Sequence, residues 1–314
     1  FDEVYHPRNA WEIANGQAMY STVHPLLGTE FIALSIRLFG MNPFAWRLPG
    51  ALFGVAMLAV LFHILCLLFE DHRYARFGVI LFAVEFMHLT TSRIATLEPM
   101  SVFFILLMFD RMIQYCQMSF YDHSFRDTIL ILLRCGIDMS LAIAVKWTAC
   151  YSAVGLAILF FATLFMRARE YRKAIELPVE TTAYMDEHSK AVFRTIQRYP
   201  EYLLKTLLWA VLFFILLPLV IYYLAYLPAP FSRSGHSINA VVDQTLYMYR
   251  YHINLEATHP YQSTWKQWLI DERPIWYYGR MDQHGIYHTI ACFTNPVISL
   301  AGLLALPVTV YRLI

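Results

Sequence analysis

Between Leu48 and Phe69 the chain reads LPGALFGVAMLAVLFHILCLLF, twenty-two residues without a carboxylate, lysine or arginine. A helix crosses a bilayer with about 20 mainly apolar residues, so this stretch reads as a membrane span. It is not alone. Over all 314 residues the chain is 58% hydrophobic and 15% charged, where soluble domains carry roughly 25% charged residues. Aromatic residues reach 16%, as suits lipid-facing and interfacial surface. Disorder, a coiled coil and a soluble nucleic-acid binder are excluded. A net charge of +1 gives no global field for a polyanion. Five cysteines lack the paired spacing of a zinc site or a disulfide framework.

Further spans are expected at about 74–89, 99–115, 128–145, 148–166, 203–227 and 289–310, giving seven in all. Residues 1–47 form an amphipathic region before the first, with 31–34 placed in the interface or opening a re-entrant element. Two longer polar segments remain. Residues 167–201 are dense in Lys and Arg, and 228–288, about sixty residues, are rich in Tyr, Trp and His. The positive-inside rule sets the first segment in the cytoplasm and the second outside. Counting spans back puts residues 1–47, the 93–98 turn and the Lys146-Trp147 turn on the outer side too. Most polar motifs of chemical interest then share one face.

Several clusters admit two readings. Asp2 and Glu3 are adjacent acids that suit proton transfer or a solvated loop. Trp46 and Arg47 suit anchoring of the first span at the headgroups. Arg93, in the 91–98 turn, either snorkels to lipid phosphate or grips a phosphate with its planar fork; Lys146 is a similar case. Glu85 and His88 sit near the outer end of their span and are expected to face protein. In the long loop, His252 and His259 lack the i, i+4 spacing of a helical metal pair, so no metal site is assigned. Its aromatic residues suit sugar faces or an interfacial belt. No Walker loop or GxGxxG fingerprint appears, which leaves no visible nucleotide site.

In order along the chain, these pieces resemble the protein O-mannosyltransferases, and among them the prokaryotic branch. Phe1-Asp2-Glu3 matches the Asp-Glu pair of that family's first outer loop. His24-Pro25-Leu26-Leu27-Gly28-Thr29 matches its His-Pro-Pro-Leu-Gly-Lys motif in part, with Leu26 and Thr29 departing from it. Asn42-Pro43-Phe44 through Arg47-Leu48-Pro49, Ser92-Arg93 with Leu97-Glu98, Lys146-Trp147, His259-Pro260-Tyr261 with Trp265, Arg273-Pro274-Ile275-Trp276 and Asn295-Pro296 follow the same pattern. Glu98 stands where the family carries Asp. The 228–288 loop leaves no room for the β-trefoil domain of eukaryotic members.

The resemblance implies an all-α integral membrane fold of the GT-C type, with amphipathic juxtamembrane helices in the first outer loop and a long C-terminal outer loop. Residues 1–227 would form the catalytic membrane module, with the first outer loop at 1–47 and a cytoplasmic loop at 167–202. Residues 228–314 would form the outer loop and a last visible span. A further span before Phe1 and others after Ile314 are implied, so the chain reads as truncated at both ends. The implied activity is inverting transfer of mannose from polyprenyl-phosphate-mannose to Ser or Thr hydroxyls of a protein, outside a prokaryotic plasma membrane. Asp2 is the expected base, and Glu3 orients the acceptor or shares that task. Arg93 is the expected phosphate ligand, with Lys146 and Arg273 behind it, and His24, His259 and Trp276 are expected at the acceptor or sugar. No cofactor is firmly implied and divalent-metal dependence is left open; the partners are the lipid donor, the acceptor protein and membrane lipid, with no nucleic acid. Two alternatives stand: a sister GT-C enzyme moving another lipid-linked sugar to a lipid or glycan, and a transporter, which predicts ionisable groups or broken helices near mid-membrane.

Overall fold

A computed structural model describes residues 2–119, 123–178, 184–228, 237–256, 258, 261–268 and 270–313. The chain is mainly helical. Helices α1 (Asp2–Ala14) and α2 (Leu27–Phe39) precede α3 (Pro43–Phe69). Next come α4 (His72–Ala83), α5 (Phe86–Arg93), α6 (Glu98–Gln117), α7 (Phe125–Val145) and α8 (Ala149–Ile175). Helices α9 (Glu187–Gln197) and α10 (Tyr199–Leu224) follow. The C-terminal part holds α11 (Ile238–Ile253), a short α12 (Trp265–Trp268), strands β1 (Ile275–Met281) and β2 (Tyr287–Cys292), and α13 (Pro296–Leu313).

Among the described residues five helices are long and apolar enough to cross a membrane: α3, α6, α7, α8 and α10. The seven expected spans are therefore corrected at two places. The stretch 74–89 is not one helix, because α4 ends at Ala83 and the Glu85 carboxylate accepts the His88 N–H at 2.8 Å, capping a new helix. The last stretch begins as strand β2, and helix starts only at Pro296. The first span begins earlier than Leu48: Asn42 accepts the Ala45 N–H at 3.0 Å and Pro43 takes the first helical position, where its missing N–H costs nothing. Trp46 and Arg47 thus lie on the first turns of α3. Its far end closes at Glu70, whose φ of 53° lies in the left-handed region.

The expected amphipathic region is two helices. On α2, Gly28, Thr29, Ile32, Ala33, Ser35 and Ile36 are buried, at the three-and-four spacing of one helical face; Leu34 and Leu38 point away. The all-α expectation needs one amendment. Residues 275–292 form a two-stranded antiparallel hairpin, pairing Ile275 with Cys292 and Met281 with Tyr287, with an irregularity between Trp276 and Tyr278. Asp282 organises the turn, its Oδ1 accepting the His284 and Ile286 N–H groups at 2.8 and 2.9 Å.

The chain falls into two compact units, residues 1–103 with 226–314, and residues 104–225.

In the first unit α1 packs on α2, α2 on α3, and α3 on α4 and α5. Ser35 donates to the Ala45 carbonyl at 2.6 Å, and Arg37 closes the end of α1 through the Ile13 and Ala14 carbonyls. Asn295 donates its N–H to Glu85 at 2.9 Å.

In the second unit, α6, α7, α8 and α10 bury a core of Met108, Met112, Leu132, Met139, Phe160 and Phe213 among others. α10 makes a π-helical turn at Leu212–Leu216, and Gly136 of α7 meets it so closely that a Cβ would stand 2.6 Å from the Phe213 carbonyl oxygen. Arg167 is 7% exposed and donates to the Tyr115 and Met118 carbonyls at 2.9 and 2.5 Å, closing the end of α6. Asp110, buried in α6, accepts from Arg111 at 3.0 Å and Gln114 at 2.8 Å, and Asp138 of α7 stands 4.0 Å from Arg111.

Candidate active site

Glu3 lies in the first turn of α1. Its Oε1 accepts from Arg47 Nε at 2.5 Å and its Oε2 from Arg47 Nη2 at 2.8 Å. Oε1 also accepts from the Trp46 indole N–H at 3.2 Å and the Ala95 amide at 3.3 Å. The bidentate fork matches guanidinium to carboxylate and fixes orientation as well as charge. Burial alone would raise the Glu3 pKa. The Arg47 hydrogen bond and charge, with the Ala95 and Trp46 bonds, outweigh it and hold the carboxyl below its ordinary range. Trp46 and Arg47, expected as headgroup anchors, are therefore drawn onto a protein carboxylate.

This contact ties together the starts of α1 and α3 and the 94–97 segment between α5 and α6. Ile94 through Leu97 are buried, and Gly54 of α3 permits the approach. A Cβ on Gly50 would touch the Ile94 carbonyl at 3.4 Å, and one on Gly54 would collide with Ser92. Arg93 ends α5 at the margin of this junction. It is exposed and has no side-chain hydrogen bond or ion pair to any described residue. Its fork is available to a ligand. Asp2 opens α1 beside Glu3, but its side chain lies outside the described residues.

His24 stands between two other imidazoles. Ring centroids are 6.0 Å from His6 and 5.6 Å from His252. α11 holds this stretch in place: His252 Nε2 is 2.9 Å from the Val23 carbonyl and Gln244 donates to the Thr22 carbonyl at 2.5 Å. Thr29, at the position where the resemblance expects lysine, is buried. Beside it Glu30, unmarked in the sequence reading, has an enclosed Oε1 with no hydrogen bond among the described residues. Burial pushes its carboxyl up to about 7, against the opposing pull of Arg37.

The remaining expected residues lie elsewhere. Arg273 donates to the Gln262 carbonyl at 3.1 Å, and its guanidinium lies 5.8 Å from the Tyr261 ring centre. Trp276, on β1, packs edge-on against Tyr261 at 5.4 Å. Arg273 and Trp276 thus share one aromatic neighbour and are brought together. His259 lies outside the described residues. Lys146 caps the end of α7 in the second unit, its N–H bonding the Ala142 carbonyl. Among the described residues no group of three His, Cys, Asp or Glu side chains gathers as a metal site.

The sequence reading missed the role of Arg47, whose signals were its place beside a tryptophan at a helix start and within the stretch that follows the family pattern. Nor did it mark Tyr247 and Tyr251 of α11, which line a cavity with His24. Their i, i+4 spacing, which aligns two rings on one helical face, was the signal that could have found them.

A sequence profile described as dolichyl-phosphate-mannose-protein mannosyltransferase matches residues 39–231, more than half of the chain. The chain belongs to this mannosyltransferase family. The matched segment holds Trp46, Arg47, Arg93 and Lys146; Glu3 and His24 precede it. A polyprenol-phosphate-mannose–protein mannosyltransferase of Mycobacterium tuberculosis is 29% identical over 119 residues, 36% of this chain and 23% of that protein. One of Mycolicibacterium smegmatis is 24% identical over 324 aligned positions, 88% of this chain and 58% of that protein. The matches thus cover 23% and 58% of the length of these relatives. The fold is also that of the S. cerevisiae protein O-mannosyltransferase Pmt1-Pmt2 complex bound to the sugar donor. That match has a TM-score of 0.54 and 19% identity, covering 72% of this chain and 29% of the yeast one. The two chains therefore share a fold.

Proposed function

We propose that the protein of which this chain is part transfers mannose from polyprenyl-phosphate-mannose to Ser or Thr hydroxyls of a polypeptide, with inversion, on the outer face of a prokaryotic plasma membrane. Family membership and the names of the mycobacterial relatives support the donor and the protein acceptor. The basic character of residues 167–201 supports the outward orientation.

The observation that carries the reading is the Glu3–Arg47 pair. It fixes the first turn of α1, and with it the backbone of Asp2, at the junction whose margin bears Arg93, unpaired among the described residues. A sugar on a lipid phosphate already has a leaving group, so the protein needs a base and a cation. Asp2 takes the proton as the acceptor oxygen bonds to the anomeric carbon. The bond from that carbon to the phosphate oxygen breaks, and polyprenyl phosphate departs toward Arg93. Glu3, with both oxygens engaged, positions α1 rather than sharing the proton. Arg273 is a further candidate on the phosphate, and Lys146 is one on the sequence resemblance alone. His24, His259 and Trp276 contact acceptor or sugar.

The test uses the full-length protein in membranes with radiolabelled polyprenyl-phosphate-mannose and a Ser/Thr peptide. Label should pass to the peptide. Asp2→Asn, which keeps size but accepts no proton, should cut turnover by about 10²–10⁴-fold while donor binding survives. Near-normal turnover in that variant would remove Asp2 as the base. Label appearing only in lipid or glycan would favour the sister-enzyme reading.

A further inference from the structure

The first unit contains a cavity of about 690 Å³, within the ordinary range of ligand pockets. Three elements wall it: α1 through Tyr5 and His6, the stretch 19–29 around His24, and α11 through Tyr247, Tyr251 and His252. The walls are tied to one another. Gln244 and His252 bind the Thr22 and Val23 carbonyls, Asn9 exchanges two hydrogen bonds with the Ser21 backbone at 2.7 and 3.1 Å, and Tyr5 stacks on Tyr20.

The chemistry of the lining selects the ligand. Among the described residues none of the lining side chains is a carboxylate, a lysine or an arginine. Arg8, the nearest cation in sequence, is paired with Glu12 and lies over the Tyr20 ring. A phosphate entering this cavity would give up hydration and meet no fixed positive charge, an expensive exchange. Hydroxyl, amide and imidazole groups beside broad aromatic faces suit a neutral polar chain instead. Tyrosine-rich walls bind polypeptide in this way, offering large rigid contact area at low entropic cost.

The cavity also has a direction. α1 carries Asp2 and Glu3 in its first turn and Tyr5, His6 and Asn9 in the turns that follow. A chain lying along those later turns leads toward the start of α1, which Arg47 holds in place.

We infer that this cavity is the acceptor subsite, taking the polypeptide residues that flank the hydroxyl to be glycosylated. The inference rests on the mannosyltransferase reading above. It is tested with the full-length enzyme in membranes, comparing Tyr251→Ala, Tyr247→Ala and the cavity-filling Ser21→Trp. A second measurement is crosslinking of a benzophenone-bearing acceptor peptide without donor. Each alanine variant should raise the acceptor KM by roughly tenfold, with donor KM and kcat at saturating peptide little changed. Ser21→Trp should raise it further, and the peptide should crosslink to 19–24 or 247–252. A change in donor KM at constant acceptor KM would overturn the inference by placing the donor's sugar in the cavity. Unchanged kinetics with crosslinks elsewhere would overturn it as well. If the unaltered protein transfers no mannose yet the peptide still crosslinks to α11, the mannosyltransferase reading fails and the polypeptide site stands.

Discussion

Glu3 and Arg47 meet through two hydrogen bonds, 2.5 and 2.8 Å long, across 44 positions of sequence. The Glu3 side chain is 11% exposed, so removal of Arg47 leaves a charge in a poorly solvated place. Hydrogen bonds to charged groups contribute about 1.5–3 kcal/mol. Arg47→Lys keeps the charge and loses the fork. It should lower kcat/KM by about tenfold or more, and Glu3→Gln should cost little further in the Arg47→Lys background. Additive losses in the double-mutant cycle would show that the two act apart. The lowered Glu3 pKa also sets a sign. Its stabilisation is full above the ordinary carboxylate pKa and is lost as pH falls through the lowered one. Acid unfolding of Glu3→Gln should therefore be the less steep.

Glu30 has the opposite sign. Its carboxyl sits at about 7, above an ordinary 4.5, so the folded state keeps a proton that the unfolded state releases. Stability is full below that ordinary value, falls as pH rises to about 7, and stays low beyond. Glu30→Gln should leave thermal stability unchanged at pH 4 and raise it at pH 8, by an upper bound on the order of 3 kcal/mol. Equal gains at both pH values would locate the effect in packing.

Arg93 is exposed and unpaired among the described residues, so charge and shape can be separated there. If its planar fork grips the donor phosphate, Arg93→Lys should lose most activity at equal expression, because an ammonium supplies no bidentate contact. Equal turnover of the lysine protein would assign Arg93 to lipid headgroups.

Gly136 and Gly155 form an internal control for helix packing in the second unit. A Cβ at Gly136 would stand 2.6 Å from a backbone oxygen of α10, whereas one at Gly155 would touch the Phe109 ring at 3.4 Å. Gly136→Ala should destabilise by about 1–3 kcal/mol and Gly155→Ala by little, as read from unfolding in detergent. Similar effects of both would mean that α7 can move away from α10.

The fold was legible where composition alone decides it. α3 carries no charge after Arg47 within its helix, a run long enough to read as a membrane span. The break at Glu85 was not legible, because a carboxylate that caps a helix and receives Asn295 from 210 positions away looks in sequence like a polar residue in a span. The hairpin did carry a signal. Ile275–Met281 and Tyr287–Cys292 are rich in aromatic and β-branched residues around an Asp282–Gly285 turn, but aromatic content was read as loop chemistry. In the candidate site, the residue types at Asp2, Glu3 and Arg93 were visible. What Glu3 holds was not, since the partners Trp46, Arg47 and Ala95 become its neighbours only when α1, α3 and the 94–97 segment converge.

The clamp of α11 on residues 22 and 23 has a consequence in time. Gln244 and His252 lie 222 and 229 positions beyond the carbonyls they bind. At synthesis rates of roughly 5–20 residues per second, about ten to fifty seconds separate translation of the first wall from that of its clasp. During that interval α1 and α2 have been made and the cavity has one side missing. Until Ile238–Ile253 has been made, the Thr22 and Val23 carbonyls lack the partners that hold them in the finished fold.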